Sequence, residues 1–218
     1  IKFDIDLAEN IVEDGLRLRR DNFEDRPVWV AASTHDGEEA QVLQAHRLIR
    51  RQFPDALLVL VPRHPERFSG GRSTLHKEGF AMVSRSDHVP STSDTEIFLV
   101  DTMGEVPLFY AAGNVAFVGG TLVPVGGHNL LEPAALGKPV VTGPHLFNTQ
   151  DIADKFANLG ASVIVHDASG LADAVCRLFA DTSSAAEMGE RGRRIVQENR
   201  GALDRLMTLI RPLIAHED

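Results

Sequence analysis

Seven short apolar runs, separated by helix-length stretches, constrain most strongly what these 218 residues can fold into. The runs lie near 28–32, 56–61, 80–83, 96–100, 115–118, 139–142 and 161–165. Most show no polar alternation, so each reads as a strand buried on both faces. Strands of that kind alternating with helices make a parallel sheet covered by helices on both sides. The expected fold is α/β, a doubly wound parallel sheet. Helices are expected over Leu7–Arg20, Glu38–Phe53, Val106–Ala112, Leu130–Leu136, Thr149–Leu159 and Leu171–Phe179. Residues 66–78 read as irregular or helical, and 84–95 as a loop. Ala185–Ile214 carries helical periodicity interrupted by Gly189, Gly192, Gly201 and Pro212.

Composition narrows the function classes. The formal net charge of −9 argues against a nucleic-acid binder, which needs a basic face, and gives no general attraction to anionic lipid. The one cysteine, Cys176, sits in a helical pattern and reads as a small buried hydrophobe, so no disulfide framework exists. No apolar run reaches the ~18 residues of a membrane span, and no signal-peptide pattern is visible. The first residue is Ile1, so the chain reads as a fragment.

In a parallel sheet, ligands sit beyond the carboxyl ends of the strands. Four polar clusters fall there, each directly after an apolar run. The richest begins after Phe117-Val118: two glycine pairs, Gly119-Gly120 and Gly126-Gly127, then His128-Asn129 and a short helix stopped by Gly137. Glycines let backbone N–H groups close on a ligand, and a helix start offers unpaired donors suited to phosphate. Neither a Walker A loop nor GxGxxG is present. Glu132, one turn into the helix, is placed to accept bonds from a ribose diol. Asn129-x-x-Glu132 also approximates a capping box, a purely structural device. His128 serves either as a ligand or as a loop histidine.

The other clusters carry the same double readings. Arg63, after Pro62 at a strand end, suits phosphate pairing or base stacking, or a surface salt bridge. His64-Pro65 resembles the His-Pro pair of other transferases that use CMP-sugars, where the histidine donates to phosphate; alternatively it merely ends the strand. Met103-Gly104-Glu105 could present backbone groups to a base edge, or be a plain turn with Glu105 as a first-turn charge. Ser33-Thr34-His35-Asp36-Gly37 reads as a second loop-to-helix anion site, or as a helix start that His35 and Asp36 only cap. Asn148 and His145 lie past the next strand, within reach of sugar hydroxyls. Glu38 and Glu39 are adjacent in a helix, so their side chains diverge and make no acid–base pair. No zinc spacing and no nucleophile–base arrangement appears.

Gly126 to Asn148, GGHNLLEPAALGKPVVTGPHLFN, resembles the C-terminal half of the Kdo transferases, which glycosylate lipid A precursors from CMP-3-deoxy-D-manno-octulosonate (CMP-Kdo). ASTHDGEE at 32–39, RHPERF at 63–68 and DTMGE at 101–105 extend the resemblance over nearly the whole chain. It implies a Rossmann-like half of a GT-B glycosyltransferase, with residues 1–218 as the nucleotide-sugar donor-binding domain. The implied contacts with CMP are Pro62, Arg63, His64, Met103, Gly104, Glu105, Gly126, Gly127, His128, Asn129 and Glu132, with Ser33, Thr34, His35 and Asn148 as further candidates. The implied reaction is inverting transfer of Kdo to a lipid A precursor, in lipopolysaccharide inner-core synthesis. No cofactor, metal or nucleic acid is expected, and no catalytic residue in this half. The base, the acceptor site and any membrane contact are expected from an N-terminal half, towards which a last helix from about 185 would pack. The whole protein is expected at the cytoplasmic face of the bacterial inner membrane, and this fragment to be soluble. Two other classes share the pattern: a nucleotide-sugar 2-epimerase-like isomerase, which would prefer UDP, and a non-catalytic nucleotide-binding module.

Overall fold

In a computed structural model the described residues are 3–201, with 67–71 described by backbone alone. All seven expected strands form: β1 Val28–Thr34, β2 Leu57–Pro62, β3 Met82–Ser84, β4 Ile97–Leu99, β5 Val115–Val118, β6 Val140–Thr142 and β7 Ser162–Ile164. They make one sheet in the order β3-β4-β2-β1-β5-β6-β7, parallel throughout. The chain winds outward from β1 to one side, then returns to place β5 on the other. The order therefore reverses between β1 and β5, where the two carboxyl ends diverge and leave a crevice.

The helices are α1 Ile11–Asn22, α2 Glu38–Gln52, α3 Arg67–Lys77, α4 Val106–Ala112, α5 Leu131–Ala135, α6 Gln150–Asn158, α7 Ala168–Ala180 and α8 Thr182–Asn199. On one face α2 and α7 pack over Trp29, Leu58, Leu60 and Phe117. On the other, α1 and α4 cover Val30, Val59, Phe98 and Ala116. A third apolar cluster lies under α5, α6 and α8 and includes Val118, Val140, Phe156 and Ile195. Both faces of β1 and β2 are thus buried, which is why their sequences run apolar without alternation.

Several boundaries differ from the sequence reading. The first helix starts at Ile11 rather than Leu7, and α7 starts at Ala168, three residues early, because the Asp167 carboxylate caps it by accepting from Gly170 N. The loop at 84–95 contains a 3₁₀ turn, Arg85–Asp87, closed by a Ser84/Asp87 capping box. Helix α8 begins at Thr182 under an Asp181 cap and packs on α5 and β6. Residues 202–218, the rest of the expected last helix, lie outside the described residues.

One buried polar group belongs to the frame. His46 on α2 is fully enclosed; its Nδ1 accepts from Trp29 Nε1 at 3.2 Å, and its Nε2 meets the Glu96 carbonyl at 2.8 Å. Those partners specify the neutral ring with the proton on Nε2. Burial drives its pKa down to about 3, against the backbone bond to Glu96.

Candidate functional site

The site is built where β1 and β5 part. At the end of β1 the pairing with β2 breaks register between Ala32 and Thr34, and Ser33 lies in the left-handed region at φ 59°. A non-glycine residue takes that conformation only at a cost, and such positions gather at functional sites. The break lets β5 come close. Gly119 N donates to Ala32 O at 2.8 Å, and a Cβ on Gly119 would lie 2.5 Å from Ser33 O. Only glycine fits there.

The amides of this first glycine turn are already engaged. Glu38, fully buried at the start of α2, reaches across 82–84 residues of sequence. Its Oε2 accepts from Gly120 N at 2.7 Å and from His35 N at 3.2 Å. Its Oε1 accepts from Thr121 N at 3.0 Å and Leu122 N at 2.9 Å. The sequence reading gave Glu38 no role beyond excluding an acid–base pair with Glu39, and it left these amides to a ligand. The structure corrects both points: the anion they hold is the chain's own carboxylate.

It also corrects the second loop-to-helix anion site. Thr34 is buried and its hydroxyl donates to Glu39 Oε1. The N-cap position of α2 is Gly37 rather than His35 or Asp36. His35 instead lies against His128, the rings nearly parallel and the two Nε2 atoms 2.7 Å apart. That distance requires one nitrogen to carry a proton and the other to accept it. Burial, then the neighbouring His35, Arg63 and His64, lower the His128 pKa to about 4. His64 completes the group, packing edge-on to His35 from an exposed position.

In front of His128 opens a cleft of about 420 Å³. Ser33, Arg63, Gly104, His128, Asn129 and Glu132 line it, so each of the four polar clusters contributes at least one residue. Backbone pairing sets Arg63: its N–H donates to Thr34 O at 3.0 Å, carrying the end of β2 beside β1. Among the described residues its guanidinium has no hydrogen-bonded or ionic partner. Asn129 and Glu132 do not form the expected capping box. The N-cap position is Leu130; Asn129 Oδ1 accepts from Leu131 N at 3.0 Å, and Asn129 Nδ2 donates to Glu132 Oε1 at 3.1 Å. The Glu132 carboxylate therefore faces the cleft rather than the backbone. Burial raises its pKa, against the Asn129 bond.

The remaining candidates stand back from the cleft. Pro62 is buried at the strand end, and Met103 is exposed beside Gly104. Glu105 points to the other side, where Arg85 pairs with it at 2.8 Å and Thr102 donates to it. Burial works against its ionisation, but those two bonds hold its pKa below the usual value. Gly126 and Gly127 are buried behind the loop; Gly127 N is spent on Gly120 O. Asn148 ties the loop from outside, donating to Val125 O and, through its backbone, to Gly126 O.

Sequence reasoning missed three lining residues, all on α4: Val106, Pro107 and Tyr110. Val106 and Tyr110 are four apart and so share a helix face. A signal was available, since Tyr110 is the one tyrosine of the chain and follows the Met103-Gly104 turn by less than two helical turns.

No family model matches the chain. It is 40% identical over 215 residues to the 3-deoxy-D-manno-octulosonic acid transferase of Haemophilus influenzae, an alignment that covers 98% of this chain and 50% of that protein. The match to the enzyme of the same name from Bordetella pertussis is 36% identical, over 95% of this chain and 49% of that protein. The chain thus spans about half the length of the curated relatives it matches. Among solved structures it resembles the C-terminal CMP-Kdo binding domain of WaaA from Acinetobacter baumannii, with a TM-score of 0.82 and 33% identity, over 87% of this chain and 100% of that one.

Proposed function

This chain belongs to the 3-deoxy-D-manno-octulosonic acid (Kdo) transferase family, and on that premise we propose that its cleft binds the CMP portion of CMP-Kdo. The observation that carries the reading is convergence: four clusters far apart in sequence supply Ser33, Arg63, Gly104, Asn129 and Glu132 to one cleft at the reversal point of the sheet. Their chemistry divides along a nucleotide. Arg63, without a side-chain partner among the described residues, offers charge-assisted bonds to phosphate. Glu132, half desolvated and acceptor-only, suits a ribose diol. Gly104 leaves backbone groups open to a pyrimidine edge.

In this reading the whole protein transfers Kdo to a lipid A precursor with inversion, at the cytoplasmic face of the bacterial inner membrane. Attack at the anomeric carbon breaks its bond to the phosphate oxygen, which leaves with the electron pair. Arg63 stabilises the growing charge on the departing CMP. The catalytic base and acceptor site come from the part of the relatives' length that this chain does not span. No metal is required, so affinity for CMP is the same in EDTA and in magnesium. The test is calorimetric titration of this chain with CMP, UMP and UDP. CMP should bind best; a preference for UDP would overturn the reading in favour of a nucleotide-sugar isomerase.

A further inference from the structure

We propose that Tyr110 is a specificity-determining residue of this cleft, its hydroxyl donating to a ribose oxygen of the bound nucleotide beside Glu132. Tyr110 is 2% exposed, yet it lines the cleft. It belongs to the same buried apolar cluster as Phe98 and Phe109. Among the described residues its hydroxyl has no hydrogen-bond partner. Nor is it one of the sealed orphan oxygens, which are those of Ser84, Thr142 and Thr149. A tyrosine hydroxyl that is neither paired nor sealed in an otherwise buried side chain has one outlet, the cleft itself. Buried polar groups are paired as a rule, because an unpaired one is costly. Here the partner is supplied with the ligand.

The chemistry beside it is complementary. Burial, and then the Glu132 carboxylate, push the Tyr110 pKa up, so the hydroxyl keeps its proton and remains a donor. Glu132 can only accept. A vicinal diol both donates and accepts, so an acceptor next to a donor uses both capacities. The inference rests on the nucleotide reading above, and it adds a second recognition group on a different helix.

The experiment compares this chain with Tyr110→Phe, using CMP, 2′-deoxy-CMP and 3′-deoxy-CMP as ligands. Phenylalanine keeps the core packing and removes an oxygen with no partner among the described residues, so the melting temperature should not fall. Affinity for CMP should drop about three- to ten-fold, the worth of one neutral hydrogen bond. For one of the deoxy nucleotides the substitution should cost little, because the hydroxyl it addressed is already gone. If the unmodified chain does not bind CMP, the nucleotide reading fails and the role of Tyr110 with it. If it binds CMP and the variant binds equally well, or loses equally for all three ligands, the Tyr110 assignment alone is overturned.

Discussion

Replacing Glu38 by glutamine changes one atom in a buried carboxylate and should cost much of the domain's stability. Glu38 accepts four backbone N–H groups, two on each oxygen, from His35, Gly120, Thr121 and Leu122. Glutamine keeps the shape but only one oxygen, so in either orientation two buried donors face an NH₂ group. Leaving a buried donor unpaired costs about 1–3 kcal/mol, which puts the loss near 2–6 kcal/mol. Losing a negative charge at the start of α2 adds about 0.3–1 kcal/mol. Against this, the amide is cheaper to bury than the carboxylate, which pulls the total towards the lower half of the range. Urea unfolding with linear extrapolation measures it directly. Hydrogen exchange at Gly120, Thr121 and Leu122 should quicken in the variant beyond the general loss of stability. A change below about 0.5 kcal/mol, the range of ordinary surface substitutions, would refute the view that this carboxylate holds the loop.

Three other outcomes follow from the same coordinates. Arg63→Ala should weaken CMP about ten- to a hundred-fold and leave cytidine nearly unchanged, because the lost bonds go to phosphate; calorimetry with both ligands checks it. His46 has a folded pKa below its unfolded one, so its contribution is full above pH 6.5 and is lost as pH falls towards about 3. At pH 4.5 the native chain should have lost about 2–3 kcal/mol through this group, read as the difference in pH dependence between it and His46→Gln. Gly189→Ala should destabilise despite alanine's better helix propensity, since its Cβ would lie 2.0 Å from Gly137 O; Gly170→Ala, whose nearest contacts are at 3.5 Å, should be neutral or gain up to about 1 kcal/mol. Thermal melts of the pair decide the point.

What the sequence determined by itself is local and periodic. Seven apolar runs between helical patterns were enough for a parallel α/β sheet, because strands buried on both faces cannot alternate and crossovers of that length need helices. The positions of the polar clusters after strands also placed a site at the carboxyl rim. Long-range pairing was not legible. Nothing near Glu38 in the sequence indicates that three of its four partners lie at 120–122, and adjacency to Glu39 told only against an acid–base pair. Gly119-Gly120 looked like a ligand loop, yet one glycine admits the backbone of Ser33 and the next donates to Glu38. His35 and His128 stand 93 residues apart in sequence and 2.7 Å apart at their ring nitrogens. Tyr110 read as one more helix residue until the sheet order set α4 over the crevice. A pattern of hydrophobicity records which face of an element is buried. Which polar atoms then meet, and which are left for a ligand, is decided only when β1 and β5 come together and the elements take their places around them.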